Sequence, residues 1–143
     1  MSNTGHIEQL TAEVIRRYFR KTGFWKRSPE NQEEMLNRCL DELNSLWSTN
    51  FTLTCNFGNE ERYHSTGGGT AGFLGMVLYK SSLMTFLHEF YHLLAKDNVV
   101  KESNSERNAI KWSHAIFKMA LPVLYRKGVE EGKFFHSVVV GGE

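Results

Sequence analysis

The sequence predicts an α+β domain: two N-terminal helices, a small β-sheet, a helix carrying His88-Glu89-Phe90-Tyr91-His92, and a following long helix. Three observations lead there. Apolar residues recur at helical spacing through the first third of the chain and again beyond Leu83. Between these stretches, Phe51-Thr52-Leu53-Thr54-Cys55 alternates in a β-favouring composition, and Phe73 to Tyr79 is a short apolar run after a Gly-rich connection. No repeat, linker or low-complexity stretch divides the 143 residues, so 1–143 reads as a single domain. Within it, 1–50 supplies the N-terminal helices, 51–80 the small sheet, 81–127 the helices around the histidines, and 128–143 a tail.

Each element has a local reason. Ile7, Leu10, Val14, Ile15 and Tyr18 mark one face of a helix from Ile7 to Lys21, which Gly23 ends. Ser28-Pro29-Glu30 combines an N-cap, proline at the first helical position and an acid in the first turn. From there Leu36, Cys39, Leu40, Leu43, Leu46 and Trp47 share a buried face that ends near Ser48. Gly58-Asn59-Glu60 reads as a turn, Arg62-Tyr63-His64 as a short partner strand, and Gly67-Gly68-Gly69 as a flexible connection. Ser81 or Ser82 caps the next helix, which runs to about Ala95. A polar link, Lys96 to Asn104, leads into a long apolar helix from Ser105 to Tyr125. The tail holds Phe134-Phe135-His136-Ser137-Val138-Val139-Val140, a further strand or a loose end.

Composition narrows the function classes. Seventeen basic and 16 acidic side chains leave a net charge of +1, which removes the simplest argument for a nucleic-acid or membrane-surface protein. Cys39 and Cys55 lack any CxxC spacing and read as buried apolar residues or free thiols. Neither a signal peptide nor a run of about 18 apolar residues is present, so the expected location is the cytoplasm.

The histidine pair carries the chemistry. Residues four apart lie on one helical face, so His88 and His92 can aim both imidazoles at one cation. Zinc accepts imidazole nitrogen at about 2.0–2.1 Å, which suits that spacing. Glu89, beside the first histidine, is placed to reach a water rather than the metal, as general base toward it and later proton donor to a leaving amine. The flanks are apolar (Leu83 to Leu87, then Phe90, Leu93, Leu94), and burying two histidines and a glutamate there is costly unless they are paired or bind something.

A catalytic zinc needs a third protein ligand. Asp97, Glu102, Glu106 and His114 are the downstream candidates. Glu106 is preferred because it begins the helix that carries the small Ala109, which permits close approach to the histidine helix. A competing use exists: Ser103-Asn104-Ser105-Glu106 is also a capping box, in which Glu106 would bond a backbone N–H.

The segments LMTFLHEFYHLLA (83–95) and SERNAIKWSHAIFKMALP (105–122) resemble the core of small HExxH zinc metallopeptidases of the gluzincin type. The stretch is similar to ImmA/IrrE-like peptidases and less closely to SprT-like domains, which place a histidine where Glu106 falls. This resemblance implies a compact zincin-like domain with Zn2+ held by His88, His92 and Glu106 and a water activated by Glu89. It also implies a protein or peptide substrate, paired as an extended strand with Phe73 to Tyr79 at the cleft rim. An oxyanion donor would be needed as well, with Tyr63, His64, Tyr125 and His136 as candidates. The alternatives are a zinc-scaffold regulatory domain without catalysis and a nucleic-acid-associated module.

The last of these rests on Arg16, Arg17, Arg20, Lys21, Lys26 and Arg27 interleaved with Tyr18, Phe19, Phe24 and Trp25. Cations contacting phosphate and aromatics stacking on bases would serve single strands, but a helix C-terminus that favours cations over a buried aromatic face explains the pattern more simply. Nucleic acid through the 16–27 segment is therefore not favoured, and no membrane partner is expected. Gly67-x-Gly69-x-x-Gly72 matches a dinucleotide fingerprint only formally, since neither a buried strand before it nor a helix start after it is present.

Overall fold

The computed structural model describes residues 4–57, 69–72 and 75–134. Helix α1 spans Thr4–Phe19 and α2 spans Pro29–Trp47; a single 3-10 turn, Phe24–Lys26, lies between them. Strands β1 (Thr52–Cys55), β2 (Gly69–Ala71) and β3 (Gly75–Leu78) follow, then α3 (Leu83–Lys96), α4 (Glu106–Ala120) and α5 (Pro122–Glu130). The expected mixture of helices with a small sheet is present, and helix predominates.

The N-terminal helices follow their local signals. Gly23 turns the chain after α1 with φ of 72°, in the left-handed region that glycine enters without steric cost. Ser28 caps α2 by accepting the Asn31 N–H at 3.2 Å, and Pro29 takes the first helical position. The two helices are tied across their buried faces, where Trp47 Nε1 donates to Thr11 Oγ1 at 2.9 Å. At the far end of α2, Asn44 settles the exit to β1. Its Nδ2 donates to Phe51 O while its Oδ1 accepts from Phe51 N, both at 3.0 Å, so one amide side chain imitates a strand partner.

The sheet order is β1-β3-β2, with β1 parallel and β2 antiparallel to β3. This corrects the expectation of a rim strand at 73–79: β3 is the central strand, paired on both sides. Leu53, Met76 and Leu78 point inward, and their burial explains why the most apolar strand takes the middle. The Gly67-Gly68-Gly69 connection is also revised, because Gly69 opens β2. The partner strand at 62–64, the turn at 58–60 and the tail strand at 135–140 lie outside the described residues.

Helix α3 runs through the centre of the molecule. Ser82 caps it through the Thr85 N–H at 3.1 Å. It contacts β2 and β3 as well as α4, and Leu83, Phe86, Leu87, Phe90, Leu93 and Leu94 are all buried. A helix apolar on nearly every side needs such cover. Ala109 on α4 is fully buried, consistent with close approach to α3.

The long final helix is two helices. Pro122 has no N–H to continue the ladder and pushes the residue before it out of helical geometry, so Leu121 sits at φ −138°, ψ 70°. The chain bends there and α5 starts with Pro122 at its first position. Arg16 spans back to this bend, donating to Ala120 O at 3.0 Å and Met119 O at 2.9 Å. At the start of the tail's apolar run, Phe134 stacks on Tyr125 with ring centroids 5.5 Å apart, over Gly128. Both cysteines are free, with Cys39 buried. No described helix is long and apolar enough to cross a membrane.

Candidate metal centre

One turn of α3 brings the histidines together as the spacing requires, with His88 Nε2 and His92 Nε2 3.2 Å apart. Both rings are largely buried. The third side of the cluster comes from α4. Glu106 Oε1 lies 3.0 Å from His88 Nε2 and Oε2 lies 2.8 Å from His92 Nε2. Among the described residues, these three are brought together with metal-ligating atoms within 4.8 Å of one another. Asp97, Glu102 and His114 do not join them. His114 is instead buried on α4, its Nδ1 bonded to Tyr125 Oη at 2.8 Å.

Glu106 escapes the capping box for a local reason. Ser105, not Ser103, is the N-cap; it is extended and its hydroxyl accepts the Asn108 N–H at 3.1 Å. Glu106 therefore occupies the first helical position rather than the third, where a box glutamate would reach back to the cap. Asn108 holds that third position and donates from Nδ2 to Ser103 O at 3.0 Å. Tyr91 on α3 also donates to Ser103 O at 3.0 Å, which pins the loop before α4 against the histidine helix. The carboxylate of Glu106 is left 69% exposed, so the cluster opens to the surface on that side.

Its dimensions suit a small cation. Tetrahedral bonds of about 2.0–2.1 Å separate neighbouring ligand atoms by about 3.3 Å. The 3.2 Å between His88 Nε2 and His92 Nε2 is close to that value, and Glu106 faces each nitrogen with a different oxygen, at 3.0 and 2.8 Å. Asn104 Oδ1 lies 2.6 Å from His92 Nδ1, so that nitrogen donates to the amide oxygen and Nε2 is turned toward the Glu106 carboxylate, 2.8 Å away.

Glu89 is 5% exposed and is not a member of the converging cluster. Burial pushes its carboxyl up to about 7, against the pull of His92 and with a smaller push from Glu106. A buried carboxyl poised near neutrality beside a cation site is suited to exchanging protons. Of the oxyanion candidates, Tyr125 is bonded to His114. Tyr63, His64 and His136 lie outside the described residues.

Asn104 and Tyr91 are the residues that reading the sequence did not assign to the site. Asn104 stood only within the capping-box pattern, and Tyr91 only as a residue between the histidines. No spacing rule links Asn104 to His92 across a loop. Asn104→Ala is expected to weaken metal binding by roughly 10–100-fold, as loss of the partner that orients a ligating histidine usually does. Competition titration against a chromophoric chelator measures it; unchanged affinity would show that Asn104 does not orient His92.

Comparison of the chain with protein-family models, with curated proteins and with solved structures gave no match.

Proposed function

We propose that this chain is a zinc-dependent peptidase with a zincin-like fold, acting on a protein substrate in the cytoplasm. The observation that supports it is the convergence of His88, His92 and Glu106 from two helices, with the buried carboxyl of Glu89 beside the first histidine. His88, His92 and Glu106 hold the ion. Zinc, when bound, supplies Lewis acidity and makes water a stronger nucleophile at neutral pH. Glu89 accepts the proton of the attacking water and passes it to the leaving amine nitrogen. Substrate pairing moves from β3 to β2, whose outer edge carries no partner among the described residues. An extended peptide added there would gain main-chain hydrogen bonds along a strand in contact with α3.

The first test is metal analysis of the purified chain, with stoichiometric zinc expected. His88→Ala, His92→Ala and Glu106→Ala should each lower zinc affinity by more than the roughly 10–100-fold typical of an orienting residue. A metal-free protein that takes up no zinc, or a Glu106→Ala variant that binds as the parent does, would end the three-ligand assignment.

A further inference from the structure

A second surface, remote from the histidines, has the character of a docking site. A groove of about 680 Å³ runs between the end of α1, the turn after it and the α4–α5 bend. Its walls include Arg20, Lys21 and Lys127, with Trp25, Val123 and Leu124 as the exposed apolar part. Arg16 also lines it but is engaged with the carbonyls at the end of α4. No carboxylate lines this groove, although the chain as a whole nearly balances 17 bases with 16 acids. Arg20, Lys21 and Lys127 make no ion pair among the described residues.

The apolar component is equally localised. Among the described residues the exposed large hydrophobics are Trp25, Met119, Val123, Leu124 and Val129. Apart from Trp25, all of them lie on the end of α4 or on α5. Val123 is 68% exposed directly after the bend, where no local packing need explains an aliphatic side chain. A second hollow of about 390 Å³ shares Trp25, Leu124 and Lys127 and continues the surface along α5, where its one carboxylate, Glu131, is paired with Lys133 at 3.1 Å. Clustered exposed apolar side chains rimmed by one sign of charge mark interaction surfaces rather than ordinary solvent faces.

We propose that this groove binds an acidic, aliphatic-rich segment of a partner protein. Carboxylates on the segment would meet Arg20, Lys21 and Lys127, and its apolar side chains would cover Trp25, Val123 and Leu124. Single-stranded nucleic acid fits less well. Base stacking needs exposed aromatics, yet Phe19 and Phe24 are buried, Tyr18 is bonded to Glu42, and only Trp25 is available from that segment. Exposed Val123 and Leu124 would gain nothing from a phosphate backbone. Helix α4 separates groove and histidine cluster by about 21 Å at 1.5 Å per residue, so a segment seated here leaves the cluster open.

The test uses the full chain as purified, and none of the three histidine-cluster residues lines the groove, so its outcome does not depend on the zinc assignment. Of the three tryptophans, Trp47 and Trp112 are buried, which makes Trp25 the solvent-sensitive reporter. A short peptide interleaving Glu with Leu and Phe is titrated beside its Lys-for-Glu counterpart and oligo-dT. The acidic peptide should shift Trp25 emission to the blue and bind at least about tenfold tighter than either, with affinity falling as salt rises. Arg20→Glu combined with Lys127→Glu should weaken it about tenfold or more, and Val123→Ser, at an exposed position, should weaken it without lowering Tm. Equal binding of the acidic and basic peptides, tighter binding of oligo-dT, or affinity unchanged in both variants would overturn the proposal.

Discussion

Glu89→Gln is expected to bind zinc like the parent chain and to lose peptide hydrolysis by roughly 10²–10⁴-fold, the usual contribution of a positioned general base. Glutamine keeps the shape and the hydrogen-bonding reach of the side chain but cannot accept the proton of the attacking water. The variant should also fold normally, because the replaced group is a carboxyl that burial already disfavours in its charged form. Single-turnover hydrolysis of a generic protein substrate, read beside zinc content, separates the possible results. Activity retained with zinc bound would remove Glu89 from the chemistry. Zinc lost together with activity would make Glu89 a ligand instead.

Phe90→Ala, one residue along, is expected to destabilise the fold by roughly 3–5 kcal/mol, out of the roughly 5–15 kcal/mol that a domain of this kind commands. Phe90 is fully buried, and four aromatic rings surround it. Phe51, Trp112, Trp47 and Phe86 have centroids 5.8, 6.1, 6.4 and 6.5 Å away. They belong to the entry into β1, to α4, to α2 and to α3 itself, so one side chain ties α3 to three other segments. Truncation removes its contacts and leaves a cavity that rigid neighbouring rings cannot close. Phe90→Leu keeps much of the volume and should cost less. Urea unfolding reads both; a loss below about 1 kcal/mol for the alanine variant would show that the core closes around the gap.

These two neighbours illustrate how the motif is built. On α3, His88 and His92 share one face while Phe90 takes another, and both are buried because α3 lies between sheet and α4. The histidine pair was legible because residues one turn apart meet in any α-helix. The N-cap at Ser28 was legible for the same reason, since a cap bonds within its own first turn; for α3 the sequence offered Ser81 or Ser82, and the structure has Ser82. Pro122 was equally local, but the apolar pattern continues across it, and only the bend at Leu121 shows that the pattern serves two helices.

What the sequence determined by itself was therefore short in range: the starts of α2 and α3, the faces they bury, and the pairing of His88 with His92. Glu106 could be named from the sequence but not separated from its capping-box use. The start of α4 at Ser105 and the anchoring of Ser103 by Tyr91 and Asn108 turn its carboxylate to the histidines. Tertiary structure alone decided the contact of Asn104 with His92, the central place of β3 and the grouping of Arg20 with Lys127. The physical reason is the same each time. A helix turn or a cap is closed by bonds within about four residues, whereas these arrangements join segments whose relative positions depend on how the whole core packs.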